Sequence, residues 1–216
     1  SFLDISYQPS PIELNNIHRQ IIYSSEDIGR EKALVAAERL KKVNPDISII
    51  AIVMRLTSVN ILDIIKDYDI IVDGSDNFPT RYLVNDACVL SGKTLVHGAF
   101  FRFEGQAFVI KPKEGPCYRC LFSEPPPPGS VPSCQEAGVL GALAGVIGLI
   151  QATETLKLIL QIGTPLVGKL IIFNSLEMEF RKVKVPHDKN CAMCGDNPTI
   201  TKLIDYEIFC GLKKRE

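Results

Sequence analysis

Apolar and polar positions follow two rhythms along the first half of the chain. EKALVAAERLKKVN (31–44) puts Ala33, Ala36, Ala37 and Leu40 at i, i+3, i+4 and i+7, one face of an amphipathic helix that Pro45 ends. ISIIAIVM (47–54) is short, β-branched and almost wholly apolar, the pattern of a strand buried on both faces. VNILDIIKDY (59–68) returns to the helical period, and DIIVDGSDN (69–77) reads as a second buried strand running into a polar turn. PTRYLVNDACVLSG (79–92) predicts a helix with proline near its start and Gly92 as its stop, and TLVHGAF (94–100) a third strand. Strand and helix alternating at this spacing argue for βαβ units and a parallel sheet.

Beyond residue 100 the rhythm changes. FEGQAFVIK (103–111) alternates loosely, a Pro/Cys-rich loop spans 112–136, and a long apolar helix is expected over 136–161. KLIIFN (169–174) and EFRKVKV (179–185) flank SLEM as a hairpin that extends the sheet antiparallel, and a tail runs over 186–216. The expected fold is α/β, a Rossmann-like, mostly parallel sheet extended by antiparallel strands, in a single domain over 1–216. GVLGALAGVIGLIQATETLKLIL (138–160) is the most apolar stretch, but Gln151, Glu154 and Lys157 interrupt it, so it reads as a buried helix and not a bilayer span. Its Gly138, Gly141, Gly145 and Gly148 fall in one narrow stripe, read as a surface for close packing.

Composition narrows the partners. With 46% hydrophobic and 23% charged residues and a net charge of −1, the chain has ordinary soluble values and no electrostatic case for nucleic acid or membrane. The start shows no signal-peptide pattern, and a reducing cytoplasm is the expected setting. Seven cysteines point to metal or catalysis before a disulfide framework.

Four of them form two C-x-x-C pairs, Cys117/Cys120 and Cys191/Cys194, the complement of a closed tetrahedral zinc site. A thioredoxin-like redox pair would need the motif to open a helix after a strand, whereas here Pro116 precedes and prolines follow. Zinc is therefore favoured over redox chemistry and over unliganded thiols, and it would pin the loop to the tail. Cys134, in VPSCQEAGVLG, stands apart near a predicted helix start, where a thiolate is favoured. It is either a small packed residue or a nucleophilic thiol on a mobile loop. Cys88 reads as core and Cys210 as tail packing.

Three polar clusters remain: Asn15-Asn16-Ile17-His18-Arg19-Gln20, Gly29-Arg30-Glu31-Lys32 at a helix start, and Gly74-Ser75-Asp76-Asn77 at the carboxyl end of a strand. Ligands of open α/β sheets bind at such ends. Arg19 and Lys32 have the chemistry to neutralise a polyphosphate and Asp76 to hold Mg²⁺. Singly, a basic residue at a helix start is more often a solvated cap, and an aspartate at a strand end a turn residue.

Taken in order, ELNNIHRQ, DIGREKA, VDGSDNFPTRYLVNDAC, FRFEGQ, GPCYRCLF, PSCQEAGV, GVIGLIQATETLKL and C-x-x-C-G resemble the MoeB/ThiF family, ubiquitin-activating-enzyme-like adenylyltransferases. The resemblance runs from about residue 12 onward, and NPTITKLIDYEIFCG brings it closer to MoeB than to ThiF. It implies ATP- and Mg²⁺-dependent adenylation of the C-terminal glycine of a ubiquitin-like sulfur carrier ending in Gly-Gly. That step prepares thiocarboxylate formation for molybdopterin, thiamine or tRNA thiolation. It also implies a homodimer, one structural Zn²⁺ and a separate sulfurtransferase or sulfur donor. By motif, Asn15, Asn16, Arg19 and Lys32 would face the ATP phosphates. Asp76 would hold magnesium, with Asn77 on the nucleotide. Cys134 would be the thiol proposed in some members as an acyl or persulfide carrier. Cys117, Cys120, Cys191 and Cys194 would be the zinc ligands.

The chain departs from the family at its start. No G-x-G-x-x-G occurs in it, and the family's ribose-holding acidic pair falls on Gln8 and Ser10. The family's upstream arginine, contributed across the dimer, has no counterpart. The first βαβ unit, with the phosphate loop, is expected to be missing or replaced. A start at Ser1 instead of methionine favours a partial record of a complete enzyme. The rival is a short relative, a zinc-stabilised module that docks a ubiquitin-like partner without activating it. A nicotinamide oxidoreductase is set aside, because there is no dinucleotide fingerprint.

Overall fold

The structure, a computed structural model, describes residues 2–6 (backbone), 11–130 and 138–213. These fall into two compact units, Ser1–Thr57 and Ser58–Glu216.

The first unit is one βαβ element. β1 (Phe2–Ser6) pairs parallel with β2 (Ile49–Val53), from Phe2 opposite Ile49 to Ser6 opposite Val53. Between them lie the single turn α1 (Leu14–Ile17), a 3₁₀ turn (Ser25–Asp27) and α2 (Lys32–Val43). Sequence reading had no strand at 2–6. The expected α2 forms as its periodicity predicts: Ala33, Val35 and Ala36 are buried, and Asn44 caps it just before Pro45. β2 is less covered than its apolar composition suggests, with Ile50 exposed. The crossover from β1 to β2 carries the asparagine-arginine and Gly-Arg-Glu-Lys clusters where a glycine-rich loop would be sought.

The second unit is built on a five-stranded sheet in the order β3-β4-β5-β6-β7: β3 (Ile70–Asp73), β4 (Thr94–Phe101), β5 (Glu104–Ile110), β6 (Lys169–Asn174) and β7 (Glu179–Lys184). β3 and β4 are parallel, and the three later pairings are antiparallel, as the hairpin pattern predicts. Across the two units the sheets are thus mixed, with two parallel and three antiparallel pairings. α3 (Ile61–Ile65) is shorter than the 59–68 pattern. α4 (Phe78–Ser91) is the helix its sequence demands. Asn77 caps it by accepting from the Thr80 amide, Pro79 sits in its first turn, and Gly92 closes it at φ 71°, a left-handed angle that favours glycine. α4 buries nine residues, among them Tyr82, Leu83, Val84, Ala87 and Cys88.

α6 (Gly141–Leu160), preceded by the short α5 (Tyr118–Leu121), corrects the expectation of a buried helix. Only one stripe is covered, Leu143, Ile147, Gln151 and Glu154, and it packs on β4 and β5. Leu149, Leu156, Ile159 and Leu160 are exposed. Among the described residues it is the one helix long and apolar enough, by length and composition, to cross a membrane. The packing role expected of the glycine stripe is not seen at Gly145 and Gly148, where an added Cβ would meet nothing. Close approach occurs on the sheet instead. A Cβ on Gly98 would strike the Gln151 amide at 2.3 Å, and one on Gly105 would strike Ile147 at 2.4 Å. Leu143, Ile147 and Phe173 form one apolar cluster, and Val96, Val109 and Leu166 another. Burying each of their large side chains contributes about 1.5–3 kcal/mol.

Candidate functional site

The candidate residues are placed on both units, and each set has its own geometry. In the first unit, Asn16 is buried and its side chain is spent locally. Its Oδ1 accepts from the Glu13 amide at 3.1 Å, and its Nδ2 donates to Asn15 Oδ1 at 2.8 Å. Arg19 bonds the Asn15 carbonyl through one nitrogen, at 2.6 Å, and makes no ion pair among the described residues. Lys32 opens α2, and its carbonyl accepts from the Tyr23 hydroxyl. The other arginines nearby are committed: Arg30 pairs with Asp27 and Glu38, and Arg39 pairs with Asp27. Of the arginines on this stretch, Arg19 is therefore the one whose charge stays available to an anion.

In the second unit, β3 ends in the turn Asp73–Asn77. Asp73 is buried, with Oδ2 against His97 Nδ1 at 2.9 Å and Oδ1 accepting the Ser75 amide at 2.9 Å. Burial alone would raise its pKa, but the His97 hydrogen bond and charge and the Ser75 amide hold it below the ordinary carboxylate value. Arg81 Nε donates to the Ser75 carbonyl at 3.0 Å, and Gln151 Nε2 donates to the Asp73 carbonyl at 2.7 Å. Asp76, at the crest, is exposed, and no described residue bonds its carboxylate. Asn77 is already committed as the α4 cap, its Oδ1 accepting from both the amide and the hydroxyl of Thr80. The turn therefore offers one open carboxylate on a rigid mount.

The four cysteines of the two C-x-x-C pairs meet. Their sulfurs lie within 4.8 Å of one another, with Cys117 to Cys191 at 3.6 Å and Cys120 to Cys194 at 3.4 Å. Zn–S bonds of about 2.3 Å in a tetrahedron set sulfurs about 3.8 Å apart, so the donor set fits zinc. So close together, the thiols share protons. Hydrogen bonds from the other three sulfurs pull Cys191 down, while those with Cys120, Cys191 and Cys194 push Cys117 up. Each pair sits on a tight backbone turn. The Cys120 amide bonds the Cys117 carbonyl at 3.1 Å, and the Gly195 amide bonds the Cys191 carbonyl at 2.9 Å. Gly195 is required there, because a Cβ would lie 2.5 Å from the Lys189 carbonyl oxygen and 2.6 Å from that of Cys191.

A buried ion pair that sequence reading missed ties this corner to α4. Arg119, between Cys117 and Cys120, bonds Asp86 through Nε at 2.9 Å and through NH2 at 2.8 Å. Tyr206, which opens α7 (Tyr206–Phe209), donates to the same carboxylate at 2.8 Å. The guanidinium also lies over the Tyr82 and Phe209 rings. Asn85 Oδ1 accepts the Tyr118 amide at 2.8 Å. The only hint in sequence is Asn85-Asp86 inside an otherwise buried helix.

Cys134 lies outside the described residues. Cys88 and Cys210 are buried, as expected of core and tail packing. Burial pushes both thiols up, Cys210 to about 11, so neither is poised as a nucleophile. The proline run leads into a turn in which the Ser130 amide bonds the Pro127 carbonyl, and Pro128 lies against Gly211.

The fold and site are those of an α/β protein with a mixed sheet, an exposed carboxylate at the carboxyl end of a parallel strand and a four-cysteine corner on the same unit. A model of the ThiF family matches residues 10–193, and the chain belongs to that family. It is 54% identical over 207 residues to a sulfur carrier protein adenylyltransferase of Thermus thermophilus, covering 94% of this chain and 76% of that protein. The SAMP-activating enzyme E1 of Haloferax volcanii is 43% identical, covering 93% and 74%. The adenylyltransferase and sulfurtransferase MOCS3 of Culex quinquefasciatus is 48% identical, but the chain spans only 46% of its length. Among solved structures, Escherichia coli MccB superposes with a TM-score of 0.78 at 20% identity, covering 91% of this chain and 59% of that one, a likeness of fold.

Proposed function

We propose that this protein adenylates the C-terminal glycine of a ubiquitin-like sulfur carrier, using ATP and Mg²⁺. The observation that carries the reading is the 54% identity, over 94% of the chain, to a protein named for that activity. In the reaction a carboxylate oxygen of the carrier attacks the α-phosphorus of ATP. The bond to the bridging oxygen breaks, and pyrophosphate leaves with its electrons. The resulting acyl-adenylate is open to a sulfur nucleophile.

The chain's own residues suit these steps. Arg19, which has no carboxylate partner among the described residues, and Lys32 at the head of α2 are assigned to the phosphates, where positive charge stabilises the charge that builds up as pyrophosphate leaves. Asp76 is assigned to magnesium, which it would hold as a carboxylate ligand and which would supply positive charge to the phosphates. The engaged amides of Asn16 and Asn77 act as braces of α1 and α4, and any nucleotide contact is secondary to that. The four cysteines hold zinc as a structural ion, closed to substrate.

The same reading has the protein working as a homodimer, which the uncovered apolar side of α6 supports. It assigns the protein to a reducing cytoplasm, which the reduced state of its six described cysteines supports. The same reading takes the sulfur from a separate sulfurtransferase or sulfur donor. The test is ATP–pyrophosphate exchange by the full-length gene product, dependent on a carrier ending in Gly-Gly. Exchange that disappears without the carrier is expected. Carrier binding without exchange would instead make the chain a docking module.

A further inference from the structure

The turn that presents Asp76 is held from behind by a side chain that touches no candidate ligand. Building on the adenylation reading, we infer that His97 is a positioning residue for Asp76, acting through Asp73. His97 stands on β4 directly opposite Asp73 on β3 and is 1% exposed. Its ring is wedged edge-on between Phe108 and Tyr118, with centroids at 5.6 and 5.1 Å. Nδ1 donates to Asp73 Oδ2, while Nε2 is buried without a partner. An apolar ring would fill this place without the unpaired Nε2, a cost usually avoided in a core, but it would leave the buried Asp73 Oδ2 without this donor. What the histidine adds over such a ring is the one hydrogen bond to Asp73.

That bond completes a fully engaged carboxylate. Oδ2 takes His97, Oδ1 takes the Ser75 amide, and the Asp73 carbonyl takes Gln151. The Ser75 carbonyl is fixed in turn by Arg81. The Asp73 carboxylate and carbonyl and the Ser75 amide and carbonyl are thereby tied down, while among the described residues the Ser75 hydroxyl is buried without a partner and the Asp76 side chain is exposed. Without His97 the Asp73 carboxylate is free to rotate off the Ser75 amide, and the crest of the turn loosens. A displacement of about 1 Å at a reacting centre can cost on the order of 10²-fold in rate.

Two substitutions separate positioning from packing. In His97→Asn the amide nitrogen is bonded to Cγ, as Nδ1 is, and so can still reach Asp73. In His97→Gln it lies one bond further out. Both remove the ring and carry similar packing losses. In carrier-dependent exchange, His97→Leu and His97→Gln are expected to raise the Mg²⁺ concentration for half-maximal rate by about tenfold, and His97→Asn to return it to within about threefold of the parent. Equal Mg²⁺ dependence in all four proteins, or equal shifts in the Asn and Gln variants, would overturn the inference. Amide hydrogen exchange tests it independently of activity. The Ser75–Asn77 amides should exchange faster in the Leu and Gln variants than in the parent and the Asn variant, with the interior of α4 unchanged. If exchange at Ser75 does not move, His97 is a packing residue. If the parent protein shows no pyrophosphate exchange, the adenylation reading fails, and hydrogen exchange still decides whether His97 sets the turn.

Discussion

The four-cysteine corner and the Asp76 turn are both tight backbone turns on the same unit, and they handle their polar groups in opposite ways. At the corner every group closes on another. Four thiols converge, Arg119 and Tyr206 share the Asp86 carboxylate, and Gly195 lets two carbonyls and an amide crowd one point. At the turn, the Asp73 carboxylate, the Ser75 amide and carbonyl and Asn77 Oδ1 are engaged, but among the described residues the Ser75 hydroxyl and the Asp76 carboxylate are not. A polar set that closes on itself supplies stability. A set that closes around one open carboxylate supplies a binding group and the rigid mount it needs. Substitutions at the corner should therefore cost stability first, and substitutions at the crest should cost activity alone.

The strongest break is Cys191→Ser. Structural zinc sites contribute about 10–16 kcal/mol in small zinc-binding peptides. This variant should lose its one metal ion per chain by native mass spectrometry and melt at a markedly lower temperature. Next is Asp86→Ala, which leaves Arg119 buried and unpaired. Breaking such a pair costs about 3–5 kcal/mol, to be read from denaturant midpoints, with α7 the first element to lose hydrogen-exchange protection. Gly195→Ala forces a Cβ onto carbonyl oxygens and should cost about 1–3 kcal/mol, with weaker zinc retention against a chelator. At the small end is Asp76→Ala. The carboxylate is exposed and unpaired, so stability should stay within about 0.5 kcal/mol of the parent, while carrier-dependent pyrophosphate exchange is lost. A large loss of stability in Asp76→Ala, or none in Asp86→Ala, would erase the contrast between the two regions.

The corner was legible in sequence because C-x-x-C spacing fixes local geometry and two such pairs suffice for one ion. α2 and α4 were legible through their period and end signals, Pro45 for one and Pro79 and Gly92 for the other. Three features were not. β1 is followed within five residues by Pro9 and Pro11, and its strand is defined by pairing with residues more than forty positions away. α6 carries apolar residues all round, so hydropathy pointed to burial. Its polar interruptions mark the covered side instead: Gln151 bonds the Asp73 and Val96 carbonyls, and Glu154 bonds the Leu166 amide. The Asp73–His97 and Asp86–Arg119 pairs join residues 24 and 33 positions apart. Such long-range pairs leave no periodic trace. The roles assigned to Arg19, Lys32 and Asp76 came from the order of motifs, and geometry adds that Arg19 and Asp76 are without charged partners among the described residues.

The most direct test of the central claim is the mass of the carrier itself. Incubated with the full-length gene product, ATP and Mg²⁺, a ubiquitin-like carrier ending in Gly-Gly should gain the mass of one adenylyl group, AMP less one water, at its C-terminus. The gain should be absent with Asp76→Ala and absent from a carrier lacking the terminal glycine. A carrier that binds the protein and is recovered at unchanged mass would contradict adenylation by this chain.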